Sequence, residues 1–342
     1  MYEFAVIAVI LAFAFTFTNG FQDASTIAAT FIASRSAAPK TGIILVAGMS
    51  FCGAVGGGSA VAFTLAGLLT LQSDAQVVLV VLAALVTATA WNLITWKFAL
   101  PSSSTHSLVG GLIGAGIAAA GTGCVLWGFD ELAGPAHELS GVAKILIFFA
   151  VSLLIGFIGS YGMRKGTQLL LRNAERSANR KIIGLNWCLA AVMAFSNGAN
   201  DTQKQMGIIA MVLVASGLTV AGEIPVWTRV ACAILIALGT IGGGWRIMNT
   251  LGRRIFRIEP VHSFDSQAFS AASIALSTVA GAPVSSTQII TMSVLGVGAA
   301  ENPRKVKWDV GKHILVSMVI TIPVTILLAG AIYLAAAAFT GV

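Results

Sequence analysis

Charge is scarce in this chain. Asp, Glu, Lys and Arg together make up 10% of its 342 residues, whereas a soluble domain carries about 25%. So little charge excludes a large water-facing protein with buried helices, which needs polar faces that these segments lack. Cysteine is equally sparse. Cys52, Cys124, Cys188 and Cys232 are scattered in apolar context without metal-ligand spacing, which argues against a disulfide framework or a metal centre and leaves buried packing as their expected role. A His-Glu-x-x-His helix and a Walker phosphate loop are both missing, so neither a zinc hydrolase nor a nucleotide-driven machine is supported. No cleavable signal peptide is evident: the apolar start from Phe4 runs straight into a polar motif at Asn19 that is expected to be functional.

Apolar residues fill the space that charge leaves. They account for 57% of the chain, and residues 43–71, 77–96 and 314–342 run almost without charge. Runs of about 18 residues or more are long enough to cross roughly 30 Å of hydrocarbon as helices. Many glycines fall inside such runs, as at Gly53, Gly56, Gly57 and Gly58, or Gly242, Gly243 and Gly244. Their expected task is close helix packing, because lipid removes the usual hydrophobic drive between helices. The net charge of +7 does not indicate a nucleic-acid partner, since the basic residues collect in short links between spans, as membrane topology requires.

One polar phrase is written twice within this apolar background. Asn19-Gly20-Phe21-Gln22-Asp23 is followed by Pro101-Ser102-Ser103-Ser104-Thr105-His106. Asn197-Gly198-Ala199-Asn200-Asp201 is then followed by Pro283-Val284-Ser285-Ser286-Thr287-Gln288, with the paired motifs 178 and 182 positions apart. Acids and hydroxyls at matching depths of two hydrophobic halves suit a transporter with one central polar site.

The first half reads as a broken span over 4–33, a span over 43–69, an apolar pair at 77–96 and 102–121, and a span over 139–162. The second half repeats this order at 183–221, 228–245, the pair 269–280 and 285–297, and 314–339. Arg164, Lys165, Arg172, Arg176, Arg180 and Lys181 crowd the central link against the single acid Glu175. Arg246, Arg253, Arg254 and Arg257 precede the second pair, and Arg304, Lys305, Lys307 and Lys312 follow it. Asp74, Asp130, Glu131 and Glu138 bound the first pair instead. If basic links face the cytoplasm, the first pair enters and leaves outside, the second inside, and both termini face outward. The expected fold is an all-α polytopic membrane protein: two inverted-topology repeats with broken helices and re-entrant hairpins. Its units are residues 1–163, a basic cytoplasmic linker at 164–181, and residues 182–342. Two full crossings per pair would leave the same end locations. Pro101 and Pro283, which interrupt a helix just before the hydroxyl rows, favour paired half-helices.

Asp23 and Asp201 are costly to bury without a cation, a proton or a hydrogen-bond partner. Asn19, Gln22, Asn197 and Asn200 add amide oxygens, and Gly20 and Gly198 permit a broken helix with freed carbonyls. Such hard oxygen ligands suit Na+, while protonation of the aspartates would suit H+. The Ser-Ser-Thr rows perform another task. Their hydroxyls, with helix N-termini beside them, offer two facing nests for a small oxyanion. Gln203 and Lys204 extend the second acidic motif, where the first half has Ser25 and Thr26. His106 can contact substrate or carry a proton, but Gln288 stands in its place in the second copy, so a two-histidine relay is unavailable.

At these residues the chain resembles the inorganic phosphate transporter (PiT-type permease) family, whose members carry a Gly-Ala-Asn-Asp signature in each half and a Pro-x-Ser-x-Thr-His-like signature after it. Gly198-Ala199-Asn200-Asp201 matches the first fully, and Gly20-Phe21-Gln22-Asp23 is an altered copy. The resemblance spans nearly the whole chain. It implies secondary active symport of inorganic phosphate with a cation, within a homodimer in the cell membrane, with no enzymatic cofactor. It nominates Asp23, Ser103, Ser104, Thr105, Asp201, Ser285, Ser286 and Thr287 for phosphate. Asn19, Asp23, Asn197, Asn200, Asp201 and Gln203 are nominated for the cation, with Gln22, Ser25, His106, Lys204 and Gln288 as auxiliaries.

Neutral oxygen donors around both aspartates tilt the reading toward Na+. Proton-coupled or metal-phosphate symport, transport of sulfate or another oxyanion, a channel, and a non-transporting membrane receptor are the alternatives. An enzyme is disfavoured, because no hydroxyl has a partner that would activate it as a nucleophile.

Overall fold

The computed structural model describes residues 2–71, 73–98, 102–135, 137–175, 177–243 and 256–340. Among these residues the regular structure is helical, apart from an isolated antiparallel bridge between Leu69 and Val125. Helices α1 (Tyr2–Asn19) and α2 (Ser25–Ala33) are joined by a π-helical turn, Gly20–Ala24, into one apolar rod. Helix α3 (Pro39–Gly56) begins at a proline, where the missing N–H is no loss. It ends before Gly58, whose φ of 84° turns the chain into α4 (Ala60–Ala66). Then come α5 (Asp74–Lys97), α6 (Ser104–Ala120) and a short α7 (Phe129–Ala133). Helix α8 (Gly141–Leu154) passes through a second π-helical turn, Ile155–Gly159, into α9 (Ser160–Leu170). The remaining helices are α10 (Ala178–Ala215), α11 (Val226–Gly243), α12 (Pro260–Val279), α13 (Ser286–Glu301) and α14 (Trp308–Thr340).

Among the described residues, six helical rods are long and apolar enough to cross a bilayer: Tyr2–Ala33, Pro39–Gly56, Asp74–Lys97, Gly141–Leu170, Ala178–Ala215 and Leu315–Thr340. The protein is therefore an all-α, multi-pass membrane protein. Its outer surface is correspondingly greasy, with Val319 71% and Leu327 74% exposed on α14.

Glycine sets how closely these rods approach. A Cβ on Gly198 would lie 2.1 Å from Ser50 O, and one on Gly53 only 1.9 Å from Phe195 O, so α3 and α10 touch backbone to backbone. The contact recurs elsewhere: a Cβ on Gly239 of α11 would lie 2.2 Å from Phe17 O of α1. Helix α6 meets α14 in the same way, through Gly114 against Ile326 O, and α13 meets the second π turn through Gly296 against Phe157 O. Each hydroxyl-bearing helix thus packs on a rod from the other half of the sequence. Gly56 and Gly242 make no such approach, and Gly244 lies outside the described residues.

Several expectations need correction. The second acidic motif is not on a broken helix, since α10 runs uninterrupted through Gly198. That glycine serves close packing against Ser50, and the intrahelical bonds that would have freed carbonyls stay closed. The first copy is a π-helical turn inside a continuous rod rather than a break. The linker expected at 164–181 is helical at both ends, and Arg164 is buried within α9. Its guanidinium pairs with Glu301 at 2.7 Å and with fully buried Asp265 at 3.4 Å, tying α9 to α12 and α13. All four cysteines are free, but Cys52 and Cys188 are exposed rather than packed inside. Pro101, Arg176, Arg246, Arg253 and Arg254 lie outside the described residues.

Candidate functional site

The two hydroxyl rows open α6 and α13 in the same manner. Ser103 caps α6 by accepting from His106 N at 3.1 Å, and Ser285 caps α13 by accepting from Gln288 N at 3.5 Å. Side-chain capping satisfies one backbone donor of each first turn. The next hydroxyls, from Ser104, Thr105, Ser286 and Thr287, then face inward, all but fully buried. The two helix starts touch, with Thr105 Oγ1 donating to Val284 O at 2.9 Å. His106 and Gln288, equivalent in the duplicated motif, lie side by side: Gln288 Nε2 is 3.1 Å from His106 Nδ1. Phe149 of α8 closes the other side of the imidazole, its ring centroid 4.2 Å away.

Both aspartates reach this junction. Asp23, carried inward by the π turn, accepts from Ser104 Oγ and, at 2.5 Å, from Thr287 Oγ1. One carboxylate is thereby held by both hydroxyl rows. Asp201 behaves differently. Its Oδ1 accepts from Lys204 Nζ at 2.6 Å, and the same ammonium donates to Thr105 Oγ1 at 2.6 Å and Val284 O at 2.9 Å. Asp201 Oδ2 and Ser286 Oγ are buried without a hydrogen-bond partner among the described residues. No titrating residue of the cluster is more than 5% exposed, so the site is sealed from both faces.

The nominated amides fall into two classes. Asn19 and Asn197 are fully buried, and neither their Oδ1 nor their Nδ2 atoms have partners among the described residues. Buried polar groups without partners are rare enough to need an explanation, such as a bound ion or water. Asn200 and Gln203, by contrast, are committed to structure. Asn200 donates to Thr278 Oγ1 and Ala282 O and accepts from Val284 N at 3.2 Å, pinning the loop between α12 and α13. Gln203 donates to Gly57 O at 2.7 Å and accepts from Val61 N at 2.8 Å, bridging α3 to α4. Both stand among the expected cation ligands, and each amide oxygen keeps a second lone pair beside the bond it accepts.

Gln22 occupies the position of Asn200 and performs the same stitching in the first half. Its Nε2 donates to Thr95 Oγ1 at 2.6 Å and Ser102 Oγ at 3.1 Å. The extra methylene of Gln22 does not disturb the acidic motif but reaches α5. Ser103 and Ser285 keep their oxygens as helix caps. The side chain of Ser25 lies outside what is described. Thr95, Ser102, Thr278 and the Val284 carbonyl were not singled out in sequence. Thr95 is a polar residue within the apolar run 77–96, a signal that was available.

Among the described residues, no group of three His, Cys, Asp or Glu side chains is arranged to hold a metal ion. The junction instead offers hydroxyl donors, one ammonium and carboxylate or amide oxygens within a buried interior. That set can hold an oxyanion beside a monovalent cation.

Comparison with known proteins agrees with this chemistry. The model of the phosphate transporter family matches residues 19–329. A protein of Bacillus subtilis (strain 168) described as "Probable low-affinity inorganic phosphate transporter" is 36% identical over 333 residues, covering 96% of each chain. One of the same description from Rhizobium meliloti (strain 1021) is 35% identical, covering 95% of this chain and 94% of its own. A solved structure described as "The sodium-dependent phosphate transporter" has the same fold, with a TM-score of 0.86 at 24% identity, covering 97% of this chain and 98% of that one. The motifs, the fold and the relatives converge: this chain belongs to the phosphate transporter family.

Proposed function

We propose that the chain carries inorganic phosphate across the bilayer by cation-coupled secondary active symport, with Na+ as the coupling ion. The observation that carries this reading is the meeting of both duplicated motifs at one sealed junction. Asp23 is gripped by hydroxyls from α6 and α13, donors equally suited to the oxygens of phosphate. Phosphate is held by Ser104, Thr105, Ser286 and Thr287, with Ser103 and Ser285 ordering the two helix starts. Asn19 and Asn197, fully buried and without partners among the described residues, each stand four residues before an aspartate and supply neutral oxygens to the cation. These neutral donors favour Na+ over a proton, which needs none of them, and the solved relative in fold is itself described as sodium-dependent.

The α5–α6 and α12–α13 pairs act as re-entrant hairpins of two inverted repeats. The 17 and 16 residues of α6 and α13 make helices of about 25 Å, short of the roughly 30 Å hydrocarbon core. The repeats run over 1–163 and 182–342, with the basic link between them cytoplasmic, and the family resemblance adds a homodimer.

The test is uptake of labelled phosphate by sealed vesicles containing the purified protein, with Na+ and pH gradients imposed separately. Accumulation driven by Na+ alone is expected. Uptake driven only by protons would reassign the coupling ion, and uptake indifferent to both gradients would remove coupled symport. Sulfate displacing phosphate at lower concentration than unlabelled phosphate does would change the substrate.

A further inference from the structure

The duplicated motif does not treat its two aspartates alike. Asp23 has two neutral hydroxyls as side-chain partners and makes no ion pair among the described residues. In the second half the equivalent hydroxyls are those of Ser286 and Thr105. Neither donates to Asp201: Ser286 Oγ has no partner among the described residues, and Thr105 Oγ1 donates to Val284 O instead. Lys204 Nζ stands where they would act, touching Asp201 Oδ1, Thr105 Oγ1 and Val284 O. The position of Lys204 is held in the first motif by Thr26, whose hydroxyl merely closes on Asp23 O at 2.7 Å. An ammonium ringed by a carboxylate, a hydroxyl and a backbone carbonyl has the oxygen environment of a bound alkali cation. With 1% of its side chain exposed, it is all but removed from bulk solvent.

From this asymmetry we infer that Lys204 is a tethered counter-cation that takes the place of one travelling cation at the second acidic motif. Asp201 is neutralised permanently, and Asp23 is the carboxylate that a mobile cation must neutralise in each cycle. The inference rests on the symport reading and deepens it by fixing where coupling occurs: one half carries a resident positive charge, the other an exchangeable one. A lysine that merely stiffened the bundle would leave the number of bound cations unchanged when removed.

Equilibrium binding of radiolabelled Na+ to the purified full chain reads that number directly, without requiring transport. Wild type should show one saturable component, lost in Asp23→Asn. Lys204→Ala, which removes the ammonium and leaves room beside Asp201, should gain a second component, lost again when Asp201→Asn is added. Lys204→Met removes the charge but fills the space, so it should gain none. In vesicles, Lys204→Ala should carry one more Na+ per phosphate than wild type. An unchanged Na+ count in Lys204→Ala, or Na+ binding that survives Asp23→Asn, would overturn the inference. If the Lys204 variants fail to fold, two components in wild type would overturn it and a single one dependent on Asp23 would uphold it. Na+ binding that is absent from wild type and appears in Lys204→Ala would uphold the tethered-cation assignment while moving coupling to protons. A wild type that moves no phosphate under any gradient would remove the symport reading, and the binding count would still decide the role of Lys204.

Discussion

Asp23 and Asp201 stand at equivalent places in a repeated motif, yet removing their charges should have different consequences. In Asp23→Asn one hydroxyl still donates to the amide oxygen, and the other turns to accept from the amide NH2, so the fold survives while coupled uptake falls by about tenfold or more, the equivalent of about 1.4 kcal/mol. Asp201→Asn strands a buried ammonium. Breaking one side of such a pair costs about 3–5 kcal/mol, so this variant should lose thermal stability as well as uptake. Measuring melting temperature and phosphate uptake on both variants separates the two roles. Equal loss of stability would show that both aspartates are structural, and near-normal uptake in Asp23→Asn would remove it from the transport site. The sequence marked these positions because acids and amides stand out in an apolar background. It did not mark how each polar atom would be used. Asn197 and Asn200 sit three residues apart on one helix, both buried; among the described residues one has no side-chain partner and the other has three. The difference comes from residues 278–284, brought in by tertiary packing that no local pattern encodes.

Among the elements, the contact between α3 and α10 has little tolerance. Gly198→Val would drive side-chain atoms into the Ser50 backbone, an overpacking worth about 1–3 kcal/mol or more, whereas Gly56→Ala meets only the far end of the Phe195 ring at 3.8 Å. A lower melting temperature for the former and an unchanged one for the latter are expected; the reverse order would mean that the helices do not approach through these glycines. A second test lies at Arg164. Basic residues between spans read naturally as exposed topology signals, and Arg172, which is exposed, fits that description. Arg164 does not. Arg164→Gln leaves Asp265 buried without its cation and should cost several kcal/mol, while Arg172→Gln should alter neither stability nor uptake. Similar melting temperatures for the two would show that the buried pair contributes nothing. The span positions were legible because apolar run length is a direct consequence of bilayer thickness. The helical state of 164–170 was not, because an amphipathic extension of a span looks, in composition alone, like a loop.

At the scale of the whole molecule, the order of motifs and the near doubling of the pattern were readable, since both are properties of the string itself. Which half supports which helix was not. Helix α6 rests on α14, with Gly110 against Thr325 and Gly114 against Ile326, while α13 rests on the π turn before α9, through Gly296 and Gly156. This crossed support bears on how the chain is made. Synthesis proceeds from the N-terminus, so α6 leaves the ribosome some 200 residues before the helix that covers its glycine face. Until α14 emerges that face must wait in lipid, and a rod made long after α6 is the one that seats the first hydroxyl row. A nascent chain halted just before Trp308 should therefore hold α12 and α13 in place against α8 and α9 while leaving α6 open to protease or to a thiol reagent at an engineered cysteine. Release of the remaining residues should close it. Protection of α6 before α14 emerges would mean that another element holds it. Helix α14 then acts as the keystone of a site whose acids and hydroxyls were all synthesised before it.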